Sequence, residues 1–242
     1  MPTAVLSTHT GGFTNYTYRD LTEDMIPIAD HWQTLNTSFD AIYTGYLGSK
    51  QQLDIVAELI DRFKTLTIID PVMADHGKLY SGFDTDFPKG MLKLCQKADV
   101  ITPNMTEAVL MLGRGYKEGP YTREYICEIL EALTLGKDKK IVLTGVHFNK
   151  EEYGAAAYDN GKVHFALEKR LPGNYHGTGD LFASVLTAAL VSGNNLNQAT
   201  EAAVKFTAES VERTYLAGDD IRYGVNFEEG LCGLKNLIHI TV

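Results

Sequence analysis

The sequence predicts an α/β protein, a three-layer αβα sandwich whose central sheet is mainly parallel. Three features predict it. The run LTIID at residues 66–70 is apolar on both faces, as a strand covered by helices on either side must be. Strand-like and helix-periodic stretches alternate from residue 40 to residue 144, which is the pattern of βαβ units with right-handed crossovers. Asp159-Asn160-Gly161 then separates two strand-like runs, a hairpin signal that adds antiparallel strands to the end of the sheet.

In chain order, residues 4–8 read as a short strand leading into the polar Thr10-Gly11-Gly12. Met25, Ile28, Trp32 and Leu35 recur at helical spacing, so residues 23–36 form a helix, with Pro27 tolerated in its first turn. Residues 40–44 are the next strand and end in Gly45-Tyr46-Leu47-Gly48-Ser49. Ser49 is a cap residue for a helix whose apolar face carries Leu53, Val56, Ile60 and Phe63. After LTIID come a helix over 87–97, a strand over 99–101, helices over 104–112 and 122–135, and a strand over 140–144. The hairpin spans 153–158 and 162–167. Leu181, Phe182, Val185, Leu186, Ala189 and Leu190 predict a buried helix that opens at or just before Asp180 and runs to Ser192. A second helix follows over 196–215, and a weaker one near 227–237.

At 242 residues, with 44% hydrophobic and 22% charged residues, the chain suits one α/β domain over residues 1–242 with a complete core. No apolar run reaches the roughly 18 residues that a membrane helix needs. The N-terminus lacks the basic and apolar regions of a signal peptide, so a cytoplasmic location is expected. A formal charge of −9 without clustered Lys or Arg argues against nucleic-acid binding. Cys95, Cys127 and Cys232 are far apart and support neither a disulfide framework nor a CxxC metal site. The histidines show no HExxH spacing, and no GxxxxGK[ST] is present, which excludes a P-loop as the source of phosphate binding.

The densest chemistry lies in His176-Gly177-Thr178-Gly179-Asp180. Glycines at a helix start leave the N–H groups of Gly177, Thr178 and Gly179 free at the positive end of the helix dipole, a ready anion site. Asp180 beside them is available as a base, or it merely caps the helix. Ligands of open α/β sheets bind at the carboxyl ends of the strands, where this sequence places further acids. Asp70 and Asp75 lie in DPVMADHGKLY, and Glu107 lies in TPNMTEA, where Asn104 and Glu107 also fit a capping box.

Taken in order, LSTHTG, TGYLG, DPVMADHGKLY, ITPNMTEA, VLTG and HGTGD resemble the pyridoxal kinase branch of the ribokinase-like superfamily over essentially the whole chain. The resemblance implies an ATP-dependent kinase that phosphorylates the 5′-hydroxymethyl group of pyridoxal, pyridoxine or pyridoxamine. It implies Asp180 as catalytic base and Gly177, Thr178 and Gly179 as the anion hole. Asp75 and Glu107 would belong to an acidic network holding Mg²⁺. Asp70, Thr102, Asn104, Glu107, Thr144 and Gly145 would line the nucleotide side, and Thr10 and Tyr46 the vitamer. Tyr80, His9 and His176 are further candidates, each with an ordinary packing explanation. A monovalent cation such as K⁺ and a homodimer are also common in the family. The same turn occurs in hydroxymethylpyrimidine kinases, which form the alternative, and a non-catalytic vitamer- or nucleotide-binding protein is the alternative of another class. Members of the family begin with a strand and helix that have no counterpart before PTAVLST here, so an opening in the sheet with exposed apolar faces is expected.

Overall fold

The fold is known from a computed structural model, which describes residues 1–136 and 138–238. Ala4–Leu6 (β1) pairs antiparallel with Tyr18–Asp20 (β2) as a ribbon outside the main sheet. The sequence reading missed β2 because its three residues are exposed and carry no alternation. Thr22–Thr34 (α1) follows, with the Asp20 carboxylate accepting the Thr22 N–H at 2.8 Å. Ala41–Thr44 (β3) leads to Lys50–Phe63 (α2), which Ser49 caps by accepting the Gln52 N–H at 3.2 Å. The fully buried Gln52 amide then donates to the Thr3 carbonyl and the Thr22 hydroxyl, both at 2.9 Å, and accepts from the Gly48 N–H. One polar side chain thereby ties the ribbon, α1 and the loop after β3 together.

Leu66–Ile69 (β4) precedes a small hairpin of Ala74–Asp75 (β5) and Lys78–Leu79 (β6). Its turn residues His76 and Gly77 both have positive φ, as the tight hairpin turns matched to strand twist require. Then come Phe87–Cys95 (α3), Val100–Ile101 (β7), Met105–Met111 (α4), Arg123–Leu133 (α5) and Lys140–Val146 (β8). Glu152–Asp159 (β9) and Lys162–Lys169 (β10) form the expected hairpin around Asn160-Gly161. Thr178–Val191 (α6), Leu196–Ala217 (α7) and Leu231–Leu237 (α8) complete the described chain.

The six-stranded sheet has the order β10-β9-β8-β7-β4-β3, parallel from β3 to β8 and antiparallel through β9 and β10. Alternation sends Ile69, Ile101, Ile141 and Leu143 to a core shared with α2, α3, α4 and α5. Ile68, Val100 and Val142 face the opposite way, into a core shared with α6 and α7. This is the three-layer arrangement that the doubly apolar strands called for. The sheet has no internal gap; what is open is the outer edge of β3.

Phe206 of α7 is 1% exposed and anchors the second core. Phe206→Ala is expected to cost about 3–5 kcal/mol in a urea unfolding series, and an unchanged midpoint would show that α7 does not close that layer.

Candidate active site

The carboxyl ends of four parallel strands converge on a single large opening. Thr44 ends β3, Asp70 follows β4, Thr102 follows β7, and Thr144 and Gly145 lie near the end of β8. Gly145 has φ +79° at a bulge against β9, between Thr144 and Val146, a conformation that glycine adopts without cost. These residues line a cavity of about 1770 Å³ together with Thr10, Tyr46, Asp75, Asn104, Glu107 and residues 177–180. Every residue singled out from the sequence as a site candidate faces this one space, as do His9, Tyr80 and His176.

The acids are held differently from one another. Asp70 is buried, and the Tyr43 hydroxyl donates to its Oδ2 at 3.4 Å. Burial first, and the charge of Asp180 second, push its pKa up to about 8, because a carboxylate out of water is penalised relative to the neutral acid. Glu107 is raised for the same reason, with the charge of Asp70 adding to burial. Both Glu107 oxygens accept backbone N–H groups, from Met73 at 3.1 Å and from Asn104 at 2.9 Å. Asn104 accepts the Glu107 N–H at 2.9 Å in return, so the capping box is present. The Asn104 amide also donates to the Ala74 carbonyl at 2.8 Å, and the Thr106 hydroxyl accepts the Gly77 N–H at 3.0 Å. The start of α4 therefore holds the β5–β6 hairpin in place. Asp75 on β5 stays half exposed and accepts the His76 N–H at 2.8 Å. The hydroxyl of Thr44 is buried without a partner.

At the opposite wall, Gly177 caps α6 with φ +76°. Nothing within 4 Å would touch an added Cβ there, so the glycine is required by backbone conformation rather than by space. The first N–H bonded within the helix is that of Leu181, to the Gly177 carbonyl at 3.0 Å, leaving those of Thr178, Gly179 and Asp180 unpaired. Asp180 stands third in the helix, and its carboxyl makes no cap bond, which sets aside the capping explanation. It sits at an open mouth, yet the surrounding protein raises its pKa by desolvation, with His9 partly offsetting the rise. His9 accepts the Gly11 N–H through Nδ1 at 3.1 Å and bonds the Arg222 carbonyl through Nε2. His176 packs 5.3 Å from the His9 ring and over Gly11.

Three cavity residues escaped the sequence reading. Tyr43 is the Asp70 partner; its place one residue before the end of β3 was the available signal. Tyr153 lies against Gly145 under the Arg170 guanidinium, 5.5 Å from its ring centroid. Tyr223 packs on Phe13 across the chain, at 5.5 Å between centroids, and nothing local in the sequence announces that pairing.

A mainly parallel sheet whose strand ends face a glycine-capped helix start with an adjacent acid defines the class of ribokinase-like α/β proteins. The family model of phosphomethylpyrimidine kinase matches residues 3–224, and the chain belongs to that family. Among curated relatives it is 28% identical over 193 residues to pyridoxal kinase of Arabidopsis thaliana, covering 72% of this chain and 58% of that one. It is 27% identical over 178 residues to hydroxymethylpyrimidine/phosphomethylpyrimidine kinase of Bacillus subtilis, covering 72% and 64%. The matches thus span about three fifths of these relatives' length. Among solved structures, a candidate phosphomethylpyrimidine kinase of Bacteroides thetaiotaomicron superposes with a TM-score of 0.90 at 38% identity, covering 98% of this chain and 82% of that one. A second form of that protein contains pyridoxal. Pyridoxal kinase of Lactobacillus plantarum gives 0.90 at 33%, covering 98% and 85%.

The raised pKa of Asp70 fixes a sign. A carboxyl held above its unfolded value of about 3.9 contributes stability that is complete below that value and is lost as pH rises through about 8. Asp70→Asn is expected to flatten the decline of the urea midpoint between these limits and to leave the variant more stable than the native chain at pH 8. Parallel pH profiles for the two proteins would contradict the assignment.

Proposed function

We propose that the protein is an ATP- and Mg²⁺-dependent kinase that transfers the γ-phosphoryl group to the 5′-hydroxymethyl group of pyridoxal, and also of pyridoxine and pyridoxamine, in salvage of vitamin B6. The observation that carries this reading is the facing of Asp180 and the unpaired amides of residues 178–180 toward the same cavity as Asp70, Asp75 and Glu107. The pyridoxal held by the Bacteroides thetaiotaomicron relative, and the names of the Arabidopsis and Lactobacillus relatives, favour a vitamer as the acceptor.

In this reading Thr10 and Tyr46 hold the vitamer ring and place its alcohol beside Asp180. Asp180 takes the hydroxyl proton as the oxygen attacks phosphorus. Its raised pKa makes it a better acceptor than an ordinary surface aspartate at neutral pH. The amides of Gly177, Thr178 and Gly179 donate to the phosphoryl oxygens, whose charge must be stabilised during transfer. Asp70, Thr102, Asn104, Thr144 and Gly145 border the nucleotide, and a K⁺ ion would belong on this side. The donor set suits Mg²⁺, which takes hard oxygen ligands, keeps several waters and needs only one or two carboxylates besides the phosphates. Asp75 and Glu107 would hold it with Asp70 close by; a cation there also offsets the burial that pushes the Asp70 and Glu107 carboxyls up. Mg²⁺ supplies neutralisation of phosphate charge.

Hydroxymethylpyrimidine phosphorylation is the second reading, favoured by the family match and the Bacillus relative. An ADP-release assay with each acceptor separates them: turnover of the vitamers is expected, and turnover of the pyrimidine alone would overturn the first reading. Asp180→Asn is expected to lower kcat by about 10²–10⁴ while nucleotide binding by calorimetry persists. Full activity of that variant would remove Asp180 from the mechanism. Ligand binding without any ADP release by the native chain would instead favour a non-catalytic binding protein.

A further inference from the structure

Three distant segments meet at the cavity mouth beside Asp180. The loop 9–13, His176 just ahead of α6, and a 3-10 turn at Ile221–Tyr223 put His9, Thr10, His176, Tyr223 and Gly224 into the cavity wall. The turn is fixed at its base, where the Asn226 N–H donates to the Thr214 hydroxyl at 2.8 Å, the Asn226 amide donates to Asp219 at 2.7 Å and Val225 is buried. Its interior bonds are local. Asp220 accepts the Arg222 N–H and, through both carboxylate oxygens, the Arg222 guanidinium, and the Tyr223 N–H donates to the Asp220 carbonyl at 3.0 Å. What reaches across the mouth is the Arg222 carbonyl, and His9 meets it there.

We propose that residues 220–224 are a strap over the acceptor side of the cavity, and that His9 is the positioning residue that fastens it to the loop carrying Thr10. A carbonyl can only accept, so the His9 proton is on Nε2, while Nδ1 accepts the Gly11 N–H at 3.1 Å. The ring therefore spends one nitrogen on the loop and one on the strap. Aromatic packing adds to the closure. Phe13 lies edge-on to His9 at 4.9 Å and to Tyr223 at 5.5 Å between centroids, and the Arg222 guanidinium is 5.7 Å from the Phe13 ring centroid. A Cβ on Gly11 would fall 2.5 Å from the His176 ring, so the loop is pressed against the start of α6 as well. Tyr223 is nonetheless 78% exposed, so the strap covers its site with little buried area and opens at small cost. It rests on the reading above only in taking the Thr10 side as the acceptor side.

Calorimetry with pyridoxal and with hydroxymethylpyrimidine, on protein saturated with a non-hydrolysable ATP analogue, reads the fastening without any need of turnover. His9→Ala is expected to weaken acceptor binding about tenfold, the scale of one or two hydrogen bonds, and to leave the Kd of the analogue unchanged. His9→Gln, whose side-chain amide keeps a donor for the Arg222 carbonyl, should recover most of that loss. Phe13→Ala and Tyr223→Ala should each weaken acceptor binding, and the double variant no further than the more damaging single, because both rings serve one closure. The proposal is overturned by native-like acceptor binding in His9→Ala, by a His9→Gln protein no better than His9→Ala, by equal weakening of the nucleotide analogue, or by additive Phe13 and Tyr223 losses. If the native chain binds neither ring compound, the acceptor reading fails and the strap with it; native binding that the variants leave intact removes the strap alone.

Discussion

An α-helix cannot satisfy the N–H groups of its own first turn, and α6 begins where a left-handed glycine turns the chain straight into the cavity. No side chain caps it. In most helices a Ser, Asp or Asn at this point takes up one of these donors, as Ser49, Asn104, Thr122 and Asn195 do for α2, α4, α5 and α7. The exception falls where the strand ends converge. Gly177 places the unpaired amides and Asp180 side by side, and the apolar residues that follow lock α6 against the sheet, so the donors are fixed before any ligand arrives.

The opposite wall has the complementary problem. Asp70 and Glu107 are both buried, and the charge of Asp70 adds to the rise that burial gives the Glu107 carboxyl, while the backbone bonds to Glu107 fix its geometry without neutralising its charge. Among the described residues no Lys or Arg pairs with Asp70 or Glu107 in the way Lys97 pairs with Asp61 on the surface. Two carboxyls held out of water, a third at the rim and the unpartnered Thr44 hydroxyl form a wall that gains from a small hard cation. The cavity is therefore polarised: donors and a base at one end, acids at the other, with room between them for a group that carries negative charge.

Much of this was legible in the chain. Doubly apolar LTIID and Asn160-Gly161 gave the sheet its parallel and antiparallel parts, and glycines before an apolar helix marked the start of α6. Features made by distant residues were not legible. β2, β5 and β6 are too short to show a period, and their pairing depends on Gln52 and Thr106 far along the chain. The partnership of Tyr43 with Asp70 joins neighbouring strands, and that of His9 with Arg222 joins the two ends of the described chain. The gap in the sheet that the family resemblance led one to expect is not found, because strands β3 to β8 pair without interruption and the open edge is the outer side of β3.

The central claim is that the first-turn amides of α6 receive the migrating phosphoryl group next to Asp180. A crystal structure with ADP, pyridoxal, Mg²⁺ and aluminium fluoride, a mimic of that group, tests it most directly. The account predicts the fluoride ligands about 3 Å from the Thr178 and Gly179 nitrogens, with the pyridoxal hydroxymethyl oxygen between aluminium and the Asp180 carboxylate. Aluminium fluoride bound elsewhere in the cavity, with those amides facing solvent, would contradict it.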